Sequence, residues 1–217
     1  MSRHELVIFD CDGVLVDSEP ISNRVLATQL TRLGIPTTAE ESVERYMGGS
    51  AASMLEDVAR RLGRPPPPDF LPGYLAASFA AFDAELEAVS GVEAVLDLLE
   101  SHGVATCVAS SGEHEKIRHT LGHTGLLRRF EGRIFSATEV AHGKPAPDLF
   151  LHAAGAMGAA PPRCAVIEDS PVGVAAARAA GMAVFAYAGR TPAWRLAGDG
   201  VTVFSAMREL PGLLTSS

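Results

Sequence analysis

Apolar residues gather into five short runs set far apart in the chain, at residues 6–9, 105–109, 133–136, 164–167 and 183–187, the third being the weakest. The runs are continuous rather than alternating. Strands buried on both faces read this way, and such strands belong to parallel sheets covered by helices on either side. Helical stripes fill the gaps between them. Val92, Val95, Leu96, Leu98 and Leu99 recur on one face of residues 92–102, and Gly103 follows as a helix stop. Ser170-Pro171 supplies an N-cap and a first-turn proline for another helix, which Gly181 ends. Strand and helix alternating in this manner predict an α/β fold with a Rossmann-like parallel sheet.

The alternation lapses between residues 16 and 88. That stretch carries helical pattern only, over 20–33, 39–47, 51–62 and 74–86, broken by Gly48-Gly49 and by Pro65-Pro66-Pro67-Pro68. The expectation is a helical cap domain at 16–88, inserted directly after the first strand of a core made of 1–15 and 89–217. The four prolines read as a stiff connector between cap helices, with Leu26, Leu30, Met54 and Leu55 as cap core.

Composition narrows the function classes. The 217 residues carry a formal net charge of -8, and of the 18 basic residues 16 are arginine, leaving only Lys116 and Lys144 as lysines. An acidic chain without a basic stripe lacks what a nucleic-acid surface requires. No apolar stretch is long enough for a membrane span, so no membrane partner is expected. Cys11, Cys107 and Cys164 show no CxxC spacing, and residues 1–5 run into the first strand without a signal-peptide pattern; both features suggest a reduced, cytoplasmic protein. Oligomeric state is left open, a monomer included.

The candidate chemistry lies at the strand ends. The first strand leads into Asp10-Cys11-Asp12-Gly13, two carboxylates one residue apart where open α/β sheets bind ligands. Such a pair is costly unless a cation or a proton neutralises it. The second strand runs into Ser110-Ser111-Gly112 at a helix entry, a ready phosphate cradle. Gly143-Lys144-Pro145-Ala146-Pro147-Asp148 precedes the fourth strand, which ends in Glu168-Asp169-Ser170. Four carboxylates, Asp10, Asp12, Glu168 and Asp169, around one lysine imply a hard divalent cation, and Mg²⁺ suits a site shared with phosphate.

These four motifs, Asp10-Cys11-Asp12-Gly13, Ser110, Lys144 within KPAPD, and Glu168-Asp169, resemble in order and spacing those of the haloacid dehalogenase superfamily. The helical insert resembles the cap of its β-phosphoglucomutase-like branch. The opening from Phe9 to Glu19 is similar to that of bacterial sugar-phosphate phosphatases, including those acting on 6-phosphogluconate. The resemblance implies that Asp10 is a nucleophile forming an aspartyl-phosphate and that Asp12 is the general acid and then base. It implies Mg²⁺ held by Asp10, the Asp12 backbone carbonyl, Asp169 and, directly or through water, Glu168. Lys144 with Ser110 and Ser111 would neutralise the transferring phosphoryl, whereas Cys11 would point away from the reaction.

Within that family the sequence favours phosphatase chemistry on a small phosphorylated metabolite, a sugar or sugar-acid phosphate. Dehalogenases lack the second aspartate that Asp12 provides. Phosphonoacetaldehyde hydrolases need a cap lysine, and residues 16–88 contain none. A β-phosphoglucomutase-type enzyme, the alternative, needs cap groups for a second phosphate, yet Ser22 stands where its histidine would fall. A retired phospho-ligand sensor is a further alternative, but such proteins lose the nucleophile or the acid, and neither is missing here. For the substrate's far end the candidates are Glu19, Arg45, Gly48, Gly49 and Ser50. Lys116 reads as a core-helix residue, Lys144 as the one lysine at the phosphoryl site, and His119 and His123 as an exposed polar face.

Overall fold

A computed structural model describes residues 4–46, 49 and 51–216. The expected sheet is present, parallel throughout and of six strands: β1 Leu6–Phe9, β2 Ala105–Ser110, β3 Ile134–Ser136, β4 Cys164–Glu168, β5 Ala183–Tyr187 and β6 Val201–Phe204. Their order is β3-β2-β1-β4-β5-β6. The chain therefore leaves β1 in one direction and returns to its other side at β4, which opens a crevice at the carboxyl ends of β1, β2 and β4. β6, absent from the sequence-based expectation, pairs with β5 at the sheet edge. Three of its four residues are only half-buried, which is why Val201–Phe204 gave no continuous apolar run.

Every residue of β1 and β4 is buried. Val7, Phe9, Ala165 and Ile167 point into one apolar layer, and Leu6, Ile8, Cys164 and Val166 into the other. On the first side lies α5 (Val92–Ser101), whose Val92, Val95, Leu96 and Leu99 face the sheet. His102 Nδ1 lies 2.8 Å from the Leu98 carbonyl at the end of that helix. α6 (His114–His123) joins it there through Ile117 and Leu121, whereas α7 (Asp148–Ala156) and α8 (Pro171–Ala179) cover the opposite face. Ser170 Oγ accepts from the Gly173 N–H at 3.1 Å, the N-cap expected from the Ser-Pro pair. The shorter α9 (Ala193–Leu196) and α10 (Leu210–Ser216) complete the chain.

The cap is four helices: α1 (Glu19–Arg32), α2 (Ala39–Tyr46), α3 (Ala51–Leu62) and α4 (Phe70–Glu85). α4 begins one turn earlier than its stripe suggested. Pro72 falls in that first turn, where its missing N–H breaks no helical bond. The proline run links α3 to α4 without helix or strand. Leu26, Leu30, Ile35, Met54, Val58 and Phe70 form a cluster of the cap's own, separate from both sheet layers. Phe82 and Leu86 at the end of α4 join the core instead. Two chain segments connect cap and core, and they run side by side: Asp17 N–H donates to the Glu87 carbonyl and Val89 N–H to the Leu15 carbonyl, both at 3.0 Å.

Leu30 has no exposed surface and sits at the centre of the cap cluster. Leu30→Ala is expected to destabilise the cap by about 2–5 kcal/mol. Urea unfolding should show this as a separate early transition or a lowered midpoint, with the sheet's far-ultraviolet signal surviving longest.

Candidate active site

The site starts from the turn after β1. Gly13 adopts φ 79°, open to glycine and strained for other residues, and any Cβ there would overlap Asp169 Oδ2. The turn doubles back through Gly13 N–H to the Val16 carbonyl at 2.8 Å, and it leaves Asp10 and Asp12 facing one crevice. Cys11 between them turns into the core, with Sγ 3.8 Å from Thr120 Oγ1, and burial raises its thiol pKa well above the usual range.

Two lysines neutralise this turn. Lys144 Nζ donates to Asp10 Oδ1 at 2.6 Å, to Glu168 Oε1 at 2.7 Å and to the Ala109 carbonyl at 3.2 Å, so all three ammonium protons are committed. It lies almost wholly buried beneath Asp10, 4.9 Å from the Phe150 ring centroid. Lys116, in the first turn of α6, donates to Asp12 Oδ2 at 2.9 Å, and Ser18 Oγ donates to Asp12 Oδ1 at 2.5 Å. Lys116 was expected to be a structural residue of its helix; its position instead brings the ammonium to the second aspartate. The usable signal was its place in the first turn of the helix that follows β2.

Glu168 and Asp169 differ sharply. Glu168 Oε2 accepts from the Asp169 and Ser170 N–H groups and from Ser170 Oγ, at 2.7–2.9 Å, while Oε1 holds Lys144. Gly173 permits this, because a Cβ at that position would collide with the Glu168 carboxylate. Asp169 Oδ2 is buried without any hydrogen-bond partner. Burial raises the Asp169 carboxyl far above its ordinary value, reinforced by Glu168 and Asp10. Burial also raises Asp10, against the pull of Lys144. For Asp12 burial acts in the same direction, but Lys116 and Ser18 outweigh it and hold the carboxyl below the ordinary value.

Among the described residues no three His, Cys, Asp or Glu side chains stand in a metal-binding cluster. Glu168 faces Lys144 and the α8 N-terminus. The chemistry of the set nonetheless fits a divalent cation: a buried, partnerless carboxylate oxygen on Asp169 beside the carboxylates of the β1 turn is one positive partner short.

These groups open into a cavity of about 410 Å³ between cap and core. Asp10, Asp12, Glu168, Asp169, Ser110, Ser111, Glu19 and Gly49 all line it; Gly48 and Ser50 lie outside the described residues. Ser110 Oγ accepts from Gly112 N–H at 3.1 Å, which shapes the turn before α6, and Ser111 is exposed at the cavity. Arg45 is not brought there: it lies 3.5 Å from Asp57, which also pairs with Arg60 at 2.8 Å. The histidine face of α6 is likewise not the free polar surface expected. His119 Nε2 lies 2.9 Å from Asp83 Oδ1 of α4, its ring 4.7 Å from that of Phe79, with His123 Nδ1 3.9 Å from the same oxygen. His142 turns outward to Asp148.

A parallel α/β core whose strand ends present paired carboxylates, a hydroxyl-lined turn and a buried lysine, beneath a helical cap, defines a hydrolase of phosphate esters. The haloacid dehalogenase-like hydrolase model matches residues 4–181, and the chain belongs to that family. The chain is 34% identical to the 6-phosphogluconate phosphatase of Escherichia coli (strain K12), over 98% of its own length and 96% of that protein's. It is 32% identical to the fructose-1-phosphate phosphatase YqaB of the same organism, over 83% and 94%. Among solved structures, a haloacid dehalogenase-like protein of unknown function from Agrobacterium tumefaciens superposes with TM-score 0.84 at 34% identity, covering 98% of both chains. A putative β-phosphoglucomutase from Thermotoga maritima does so at 0.77 and 25%, covering 98% of this chain and 99% of that one. With family and relatives together, the chain is a phosphoric monoester hydrolase.

Replacing Lys144 by methionine would leave the Asp10 and Glu168 carboxylates buried without their shared cation. The expected cost is about 3–5 kcal/mol of folding stability, together with loss of phosphate release. Thermal melting and a phosphate-release assay on the same preparation check both.

Proposed function

We propose that the chain is a Mg²⁺-dependent phosphatase for a small sugar or sugar-acid phosphate, working through an aspartyl-phosphate. The observation that carries this reading is the division of labour between the two aspartates: Asp10 is clamped by Lys144 from below and Asp12 by Lys116 and Ser18 from the side, and both line one cavity.

Lys144 fixes one Asp10 oxygen, which leaves the other to attack phosphorus in line with the departing alcohol. Asp12, two residues on and lining the same cavity, would deliver a proton to the ester oxygen and later take one from the water that splits the acyl-phosphate. Its pairing with Lys116 and Ser18 favours the ionised form, the form required for the second of these tasks. Ser110, Ser111 and the N–H groups of the turn before α6 would receive the phosphoryl oxygens. Asp10, the Asp12 carbonyl and Asp169 would hold Mg²⁺, with Glu168 bracing Lys144 behind them. When bound, the cation supplies charge neutralisation for the carboxylates and the phosphoryl group. Residues 16–88 would move as a lid on the paired connecting segments near 14–18 and 87–91, excluding water from the first step and admitting it for the second.

Asp10→Asn is expected to reduce phosphate release from a sugar-phosphate panel to background, and Asp12→Asn to lower it by ~10²–10⁴-fold. Excess chelator should abolish release and added Mg²⁺ restore it; full activity in chelator would overturn the metal assignment.

A further inference from the structure

The cap carries six arginines, none of which lines the cavity. Arg24 pairs with Glu85, Arg45 and Arg60 with Asp57, and Arg61 donates to Tyr46 Oη at 3.0 Å and Thr37 Oγ1 at 3.2 Å. Arg32 and Arg64 face solvent. Among the described residues Lys116 is the one basic side chain in the cavity wall, and its ammonium already serves Asp12. The cap positions outside the described residues, Met47, Gly48 and Ser50, bring no charge.

The rest of the wall is of two kinds. Leu71, Tyr74, Leu75, Phe79 and Phe82 from α4, with Leu26 from α1, make an apolar and aromatic side. Against it stands Glu19, half-buried at the start of α1, and Glu113 and Glu115 lie at the exposed rim. Glu19 Oε2 accepts from Asn23 Nδ2 at 2.8 Å, which fixes the carboxylate toward the cavity side of its helix. A carboxylate accepts several hydrogen bonds at once. A sugar hydroxyl can donate to it, and an anionic group cannot.

We propose that this cavity selects phosphomonoesters with an uncharged leaving group, a neutral sugar or polyol whose C–H face lies on Tyr74, Leu75 and Phe79 while its hydroxyls donate to Glu19. Within that class, esters with a second anionic group, sugar-acid phosphates and bisphosphates, are the poorer substrates. The inference rests on the phosphatase reading above and narrows its substrate class. A second anion would surrender hydration inside a cavity that offers it no free cation and already holds the carboxylates of the β1 and β4 turns. The penalty therefore comes from an unfavourable environment, which discriminates as effectively as a favourable contact.

Matched substrate pairs test this on the full chain with Mg²⁺: glucose 6-phosphate against 6-phosphogluconate, and fructose 1-phosphate against fructose 1,6-bisphosphate. The neutral member of each pair is expected to have the higher kcat/KM by roughly tenfold or more, chiefly through KM. In Ser22→Lys, which adds a cation to the α1 wall, the neutral-to-anionic ratio should fall. Release from both members with equal or better kcat/KM for the anionic one overturns the charge selection and leaves the phosphatase reading intact. So does an unchanged ratio in a Ser22→Lys variant that melts like the parent. No release from any of the four compounds overturns the phosphatase reading itself, and the selection with it.

Discussion

Four carboxylates brought to the buried ends of two neighbouring strands set the terms for the rest of the molecule. Asp10, Glu168 and Asp169 are each less than a tenth exposed, and like charges so placed repel at short range in a poor dielectric. The fold answers each differently. Lys144 crosses from the loop before α7 to bridge Asp10 and Glu168; the N-terminus of α8 gives Glu168 two N–H groups and a hydroxyl; α6 lends Lys116 to Asp12. Asp169 alone of the four keeps a fully buried oxygen without a partner. An uncompensated buried anion is tolerated only where something else neutralises it, so the least satisfied atom in the site is also the one that best explains the need for a cation.

Neutralisation also explains the two glycines that matter here. Gly13 and Gly173 are positions where backbone meets a carboxylate so closely that no side chain fits. Alanine at either position would push Asp169 or Glu168 out of its place, converting a packing change into an electrostatic one. The geometry of the carboxylate cluster is therefore held by backbone proximity as much as by side-chain choice. The cap is held differently. Its seam with the core runs along α6, where Asp83 meets His119 and His123 and Phe79 packs on the His119 ring. One face of α6 thus carries both the lysine that steadies Asp12 and the histidines that meet α4.

How much of this could be read from the sequence follows from the kind of burial involved. β1, β2, β4 and β5 announce themselves as continuous apolar runs because helices cover both their faces. β6, at the edge and half-exposed, does not. Asp10, Asp12, Glu168, Asp169 and Lys144 were legible because each sits at a strand end or a proline-stiffened loop, where a charged residue has no structural excuse. Lys116 was not, because a lysine in an amphipathic helix is ordinary; only the tertiary fold shows that its turn of α6 faces the β1 loop. The same limit applies to Arg45, whose proximity to the glycine-rich stretch suggested a substrate contact. Asp57 lies twelve positions further along the chain, and the fold brings its carboxylate 3.5 Å from that guanidinium.

On the proposed function, catalysis and selectivity stand on different footings. The core cannot exchange one of these carboxylates or Lys144 without stranding a buried charge, so its composition is constrained by electrostatics before any substrate arrives. The cap wall is under no such constraint. Leu71, Leu75 and Phe79 sit in an apolar surface where exchange for another side chain costs packing alone, and Ser22 is a small residue at an open wall. On the proposed function, a single cap substitution would therefore alter which leaving group is accepted while the surroundings of Asp10 stay fixed. By the same reasoning, similarity to phosphatases of different named substrates follows from a shared core. Selectivity for a particular ester has to be read from the charge and shape of the wall facing Lys116.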